Sequence, residues 1–110
     1  MTKVRFFLSA QGIHGFEIKD HSGYADHGQD IVCAAISALG QTAVIGLTEV
    51  LGMDCSVDIR DAYLACYLPK EMAPAVWEHS QTLLQTLYRG LTAIQAEYPD
   101  YLRIREVEQR

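Results

Sequence analysis

The sequence predicts an α+β domain of order ββαββαβ, with five strands in a mixed sheet and two helices packed on it. Three observations carry that expectation. Apolar residues alternate with polar ones in four short runs, two of them joined by tight-turn signals, which is the pattern of hairpins. Two longer stretches carry apolar residues at three- and four-residue spacing, as helices do. Prolines and glycines fall between these runs rather than inside them, apart from Gly40, Gly46 and Gly90. The chain of 110 residues suits one domain spanning 1–110 with a single core.

In chain order, Val4 to Leu8 mixes apolar and basic residues and reads as a strand. Gln11-Gly12 signals a turn, and Phe16 and Ile18 alternate with Glu17 and Lys19 in a second strand ending at Asp20-His21. A helix is expected from Gly28 to about Gly52, with Ile31, Ala34, Ala35, Ala38, Leu39 and Ile45 on one stripe. No Lys, Arg, Asp or Glu stands between Asp30 and Glu49, so its other side is also free of charge. Such a helix is buried on several sides, and one of them suits a second subunit. Cys55 to Arg60 and Ala62 to Leu68 read as a second hairpin, with Cys55 and Cys66 in the core. Pro74 opens the second helix and Pro99 closes it, with Val76, Leu83, Leu84, Leu87, Leu91, Ile94 and Tyr98 inward and Glu78, Gln81, Gln85 and Arg89 outward. Leu102 and Ile104 form a last strand, and the charged end from Arg105 to Arg110 is expected to fray.

The formal net charge is −5 and no basic run occurs, which argues against direct nucleic-acid binding as the main activity. No run of consecutive apolar residues approaches the ~18 of a membrane span, so no membrane partner is expected. The N-terminus lacks the apolar segment of a signal peptide, and the three cysteines show neither CxxC spacing nor a disulfide framework. The expectation is a cytoplasmic protein with reduced thiols.

The stretch from His21 to Leu39 is a polar, glycine-punctuated loop running into the apolar helix. If Asp30 is the N-cap, Cys33 occupies the third helical position, where unpaired N–H groups and the helix dipole favour a thiolate. His21 and His27 both lie within loop reach of it, and spacing alone does not choose between them. Asp30 has two possible tasks, capping the helix or orienting an imidazole. Ser37 follows Cys33 by one turn on the same face and either bonds the helix backbone or supports the site. Gly23 and Gly28 make the loop flexible enough to close over a bound peptide. His21, His27, Cys33 and Cys55 lack a recurrent zinc spacing, and no Gly-rich phosphate motif follows Gly28, so neither metal nor cofactor is expected. His14 and His79 are read as structural.

His21, Gly28 and the run Asp30-Ile31-Val32-Cys33-Ala34-Ala35-Ile36-Ser37-Ala38-Leu39 resemble the ribosomal-processing cysteine protease (Prp) family, and the order of elements fits that family over nearly the whole chain. The pattern departs at Asp20 and Ser22, where the family has Gly before and Ala after the histidine. The resemblance implies a cysteine endopeptidase with Cys33 as nucleophile and His21, rather than His27, as base and then acid. It assigns Asp30 and Ser37 to supporting roles. It further implies a homodimer that removes the N-terminal extension of a large-subunit ribosomal protein, the twenty-seventh, by recognising the peptide at its N-terminus. Two other readings use the same residues: a ribosome-associated assembly module without cleavage, and a thiol redox sensor acting through Cys33.

Overall fold

The computed structural model describes residues 1–109. The elements are β1 (Thr2–Ser9), β2 (Gly12–Lys19), α1 (Ile31–Ile45, continued by a π-helical turn over Gly46–Val50), β3 (Ser56–Arg60), β4 (Tyr63–Tyr67), α2 (Pro74–Glu97) and β5 (Leu102–Glu108). The order ββαββαβ is the one expected. The five strands form one sheet in the order β3-β4-β2-β1-β5, antiparallel except for the parallel pair β1–β5. It is a mixed sheet with α1 and α2 on one face.

The core lies between that face and the helices. Val4 and Phe6 of β1 stand beside Ile18 and Phe16 of β2, which in turn stand beside Leu64 and Cys66 of β4. All six are buried against Ile36 and Val44 from α1 and Leu84, Leu87 and Leu91 from α2. The strands' period of two sends Lys3, Arg5 and Lys19 to the opposite, open face. There Arg5 and the Tyr63 hydroxyl both donate to the Glu17 carboxylate at 2.8 Å. The Arg5 hydrogen bond is the main reason that this carboxyl sits below its ordinary range despite burial.

The structure corrects the sequence reading in five places. The first helix begins at Ile31 rather than Gly28, because Gly28 has φ +90°, outside the helical region. Its buried residues are Val32, Ile36, Gly40, Ala43 and Val44, whereas Ile31 (58% exposed), Ala34, Ala35, Ala38 and Ile45 (50%) face outward. A helix apolar all round offers two stripes, and the sheet selected the one containing Gly40. A Cβ at Gly40 would come within 2.6 Å of Ile18 and 2.8 Å of Leu64, so this glycine permits the close approach of helix to sheet. Ile31–Val50 is also one 20-residue helix of a length and composition that would cross a bilayer. Counting consecutive apolar residues overlooks it because Ser37, Gln41, Thr42, Thr48 and Glu49 interrupt the run, Glu49 alone adding a charge.

The end of the chain differs too. β5 continues through Arg105 to Glu108, paired with Arg5 to Leu8, and the Gln109 N–H reaches the Leu8 carbonyl at 2.6 Å. Backbone pairing with β1 does not depend on side-chain polarity, so charge was a poor guide to fraying here; Arg110 lies outside the described residues. Finally, Gln81 does not point to solvent. Its amide accepts from the Ile13 N–H and donates to the Ile13 carbonyl, both at 2.8 Å, pinning α2 to β2 beside the register shift between Phe7 and Leu8.

Candidate active site

His21 is delivered by the end of β2. The preceding Asp20 has φ +71°, a left-handed conformation that glycine enters freely and Asp tolerates. That conformation explains a glycine at this position in the family pattern. Two bonds fix the turn: the Asp20 N–H donates to the Ala62 carbonyl, and the Thr2 hydroxyl donates to the Asp20 carbonyl, both at 2.9 Å. Cys33 is delivered by the start of α1. The Asp30 side chain accepts from the Cys33 N–H at 2.8 Å, so Asp30 is the N-cap and Cys33 the third helical residue, as the spacing implies. The two elements bring Cys33 Sγ to 3.6 Å from His21 Nδ1.

Asp30 is the hub of the intervening loop. Its second carboxylate oxygen accepts from the Ser22 hydroxyl at 2.5 Å, from the Tyr24 N–H at 3.1 Å and from the Ala25 N–H at 3.4 Å. Burial pushes this carboxyl up, but the hydrogen bonds from Ser22, Cys33, Ala25 and Tyr24 together outweigh it, and the net shift is downward. Of the two tasks left open for Asp30, the geometry shows capping and loop anchoring; its side-chain bonds run to Ser22, Tyr24, Ala25 and Cys33 rather than to an imidazole. Ser22, where the family has Ala, is almost fully buried and adds a donor to this hub. No periodicity marks it in the sequence, since its partner is eight residues away through a loop.

The loop is held at its tip as well. Tyr24 packs edge-on against Tyr98 and Tyr101, with ring centroids 5.5 and 5.3 Å away. Gly23 and Gly28 adopt φ +78° and +90°; a Cβ would meet only the Met1 nitrogen at 3.8 Å in the first and nothing in the second, so it is their backbone and not crowding that requires glycine. His27 lies edge-on to His21 with centroids 5.2 Å apart, but it is His21 that meets the thiol.

His21, His27, Asp30 and Cys33 line a cavity of about 470 Å³ together with Ser37, Gln41 and the β3–β4 turn at Ile59, Arg60, Asp61 and Ala62. Ser37 lies in the cavity wall, where its hydroxyl accepts from the Gln41 side chain at 2.9 Å. Sequence reasoning missed Gln41 and the Ile59–Ala62 segment. The alternation in β3 signalled a strand, but nothing local says that its end returns beside Cys33. Cys66 is fully buried, as expected of a core residue, whereas Cys55, also expected in the core, is half-buried at its margin because it precedes β3. Burial pushes the Cys55 thiol up and the Cys66 thiol up to about 12, leaving Cys33 as the thiol placed for chemistry.

A thiol on the first turn of a helix, in contact with an imidazole and open to a cavity, has the arrangement that a nucleophile–base pair requires. The comparisons agree with this chemistry. A family model described as cysteine protease Prp matches residues 1–103. The chain is 31% identical over 96 residues to the ribosomal processing cysteine protease Prp of Bacillus subtilis, covering 86% of each. The chain belongs to the Prp family. It is accordingly a cysteine protease. The same fold is seen in the S. aureus ribosomal processing protease Prp. With a covalently linked product peptide, that structure superimposes with a TM-score of 0.86 at 20% identity, over 97% of this chain and 100% of that one. With a substrate peptide the TM-score is 0.81 at 19% identity, with the same coverage. Cys33 and His21, the two residues that the resemblance singles out, are the pair that the fold brings together.

Proposed function

We propose that this Prp-family protease removes the N-terminal extension of a large-subunit ribosomal protein, the twenty-seventh, with Cys33 as nucleophile and His21 as base and acid. The observation that carries the assignment of roles is the 3.6 Å contact between Cys33 Sγ and His21 Nδ1 at the wall of the cavity. His21 takes the thiol proton, and the thiolate attacks the scissile carbonyl to form a carbon–sulfur bond. The imidazolium then protonates the departing amine as the peptide C–N bond breaks. Water, deprotonated by His21, hydrolyses the acyl-enzyme, and the proton returns to the sulfur. The Cys33 N–H is already bonded to Asp30, and the Ala34 N–H to the Asp30 carbonyl, so neither is a free oxyanion donor in this state.

The outward apolar face of α1, with Ile31 and Ile45 at its ends and Ala35 and Ala38 between, supports a homodimer. Cytoplasmic residence follows from the nature of a ribosomal substrate and from the reduced thiol that the mechanism needs. The test is intact-mass analysis of the ribosomal precursor incubated with wild type, Cys33→Ala and His21→Ala. Loss of the extension with wild type alone supports the proposal; cleavage that survives in Cys33→Ala overturns it. The same samples, run by light scattering, report the dimer.

A further inference from the structure

We infer that the free edge of β3 is the rail on which the peptide substrate lies, adding to the sheet as a sixth strand that runs into the cysteine cavity. This inference rests on the proteolytic reading above and names how the substrate is held. The backbone pairing fixes which groups are free. The Asp20 N–H bonds the Ala62 carbonyl and the Leu68 N–H bonds the His14 carbonyl, in register with the pairs Ile18–Leu64 and Phe16–Cys66. Bonded pairs alternate in an antiparallel ladder, so Ala62, Leu64, Cys66 and Leu68 turn their backbone groups toward β2. Tyr63, Ala65 and Tyr67 turn theirs toward β3, where their partners are Arg60, Asp58 and Ser56. Val57 and Ile59 consequently direct both N–H and C=O away from the sheet, offering four backbone groups over about 7 Å.

The side chains of these two residues agree with that use. Both stand on the helix side of the sheet, next to Cys66 and Leu64, which are 0% and 6% exposed. Yet Val57 is 39% and Ile59 55% exposed, because the helices stop short of β3. An added strand would lay alternate side chains against them, the recognition mode in which backbone bonds give affinity and alternate pockets give specificity. The rail is continuous with the reaction centre, since Ile59, Arg60 and Asp61 line the same cavity as Cys33 and His21. The opposite edge, β5, carries Arg103, Arg105, Glu106 and Glu108 and contributes no residue to that cavity.

The experiment measures binding of a fluorescent peptide spanning the precursor's cleavage junction to the full-length Cys33→Ala protein, by anisotropy. A series in which each peptide amide in turn is N-methylated should weaken binding about tenfold at alternate positions and little between them, since each lost backbone bond removes one rung. Val57→Pro removes an outward N–H that β4 does not use, and proline is tolerated there on an edge strand. It should weaken the unmodified peptide by about the same factor and leave the melting temperature near that of the parent. Equal or absent effects along the methylated series overturn the inference, whether or not Val57→Pro folds. So does a Val57→Pro protein that binds as the parent does, or one whose only change is loss of self-association, which would give the edge to a second copy. Cleavage of the same peptide by wild type is scored separately. Cleavage without the alternating pattern removes the rail alone, and the pattern without cleavage removes the proteolytic reading alone.

Discussion

Replacing Asp30 by Asn tests the hub of the site loop without changing its shape. One oxygen of Asp30 caps α1 through the Cys33 N–H, and an Asn oxygen does this equally well. The other oxygen accepts from Ser22, Tyr24 and Ala25, and an Asn amide nitrogen placed there would meet donors with a donor. The residue is 8% exposed, so water does not repair the mismatch. Losing a charge-assisted bond to Ser22 and the acceptor shared by the Tyr24 and Ala25 N–H groups, of which only Tyr24 keeps a second partner in the Ser22 hydroxyl, should cost about 2 kcal/mol. For a domain of this size that corresponds to a melting temperature lower by about 6–10 °C. The pH dependence carries the sharper test. The folded Asp30 carboxyl sits below its ordinary value, so its contribution is present above the unfolded value of about 4 and is lost as pH falls through the folded one. The gap between wild type and Asp30→Asn should be full at pH 7 and should close on acidification below pH ~4. Thermal melts of both proteins across that range measure it. A gap unchanged at low pH, or no gap at pH 7, would refute the account of Asp30 as an ionised loop anchor.

Other substitutions probe different links. Asp20→Gly relieves a left-handed backbone at the loss of only a surface ion pair with Lys3, and should raise stability by about 0.5–1 kcal/mol in a denaturant titration. Gln81→Leu leaves the buried Ile13 N–H and carbonyl without their partner and should cost about 2–4 kcal/mol in the same assay. Gly28→Ala forces a side chain onto φ +90° although space is open, so it should slow turnover of the precursor and lower the melting temperature, by a backbone strain of about 1 kcal/mol. Iodoacetamide should add one label to the native protein, at Cys33. Peptide mapping that finds Cys55 or Cys66 labelled first would contradict the effect of burial on those thiols.

Much of the site was legible because its pieces are local. A cap acts over three residues, so Asp30 followed by Cys33 announces a helix start with a cysteine on its first turn. Strand alternation and the proline-bounded second helix are equally short-range, and they gave every element in the right order. Choices between equivalent options were not legible. Either stripe of α1 is apolar enough to be buried, and only the approach at Gly40 to Ile18 and Leu64 decides between them. His21 and His27 are both near Cys33 along the chain; the return of β2 beside α1 brings His21 Nδ1 to the sulfur. Ser22, Gln81 and the open edge of β3 acquire their partners or their vacancy from residues distant in sequence. The sequence by itself determined the order of helices and strands and that a thiol stands at a helix start, since those depend on patterns along one element and on neighbours within a turn. The tertiary structure decided which groups meet that thiol, which α1 face is buried and which β3 backbone groups stay free, because sheet order and helix placement set those contacts.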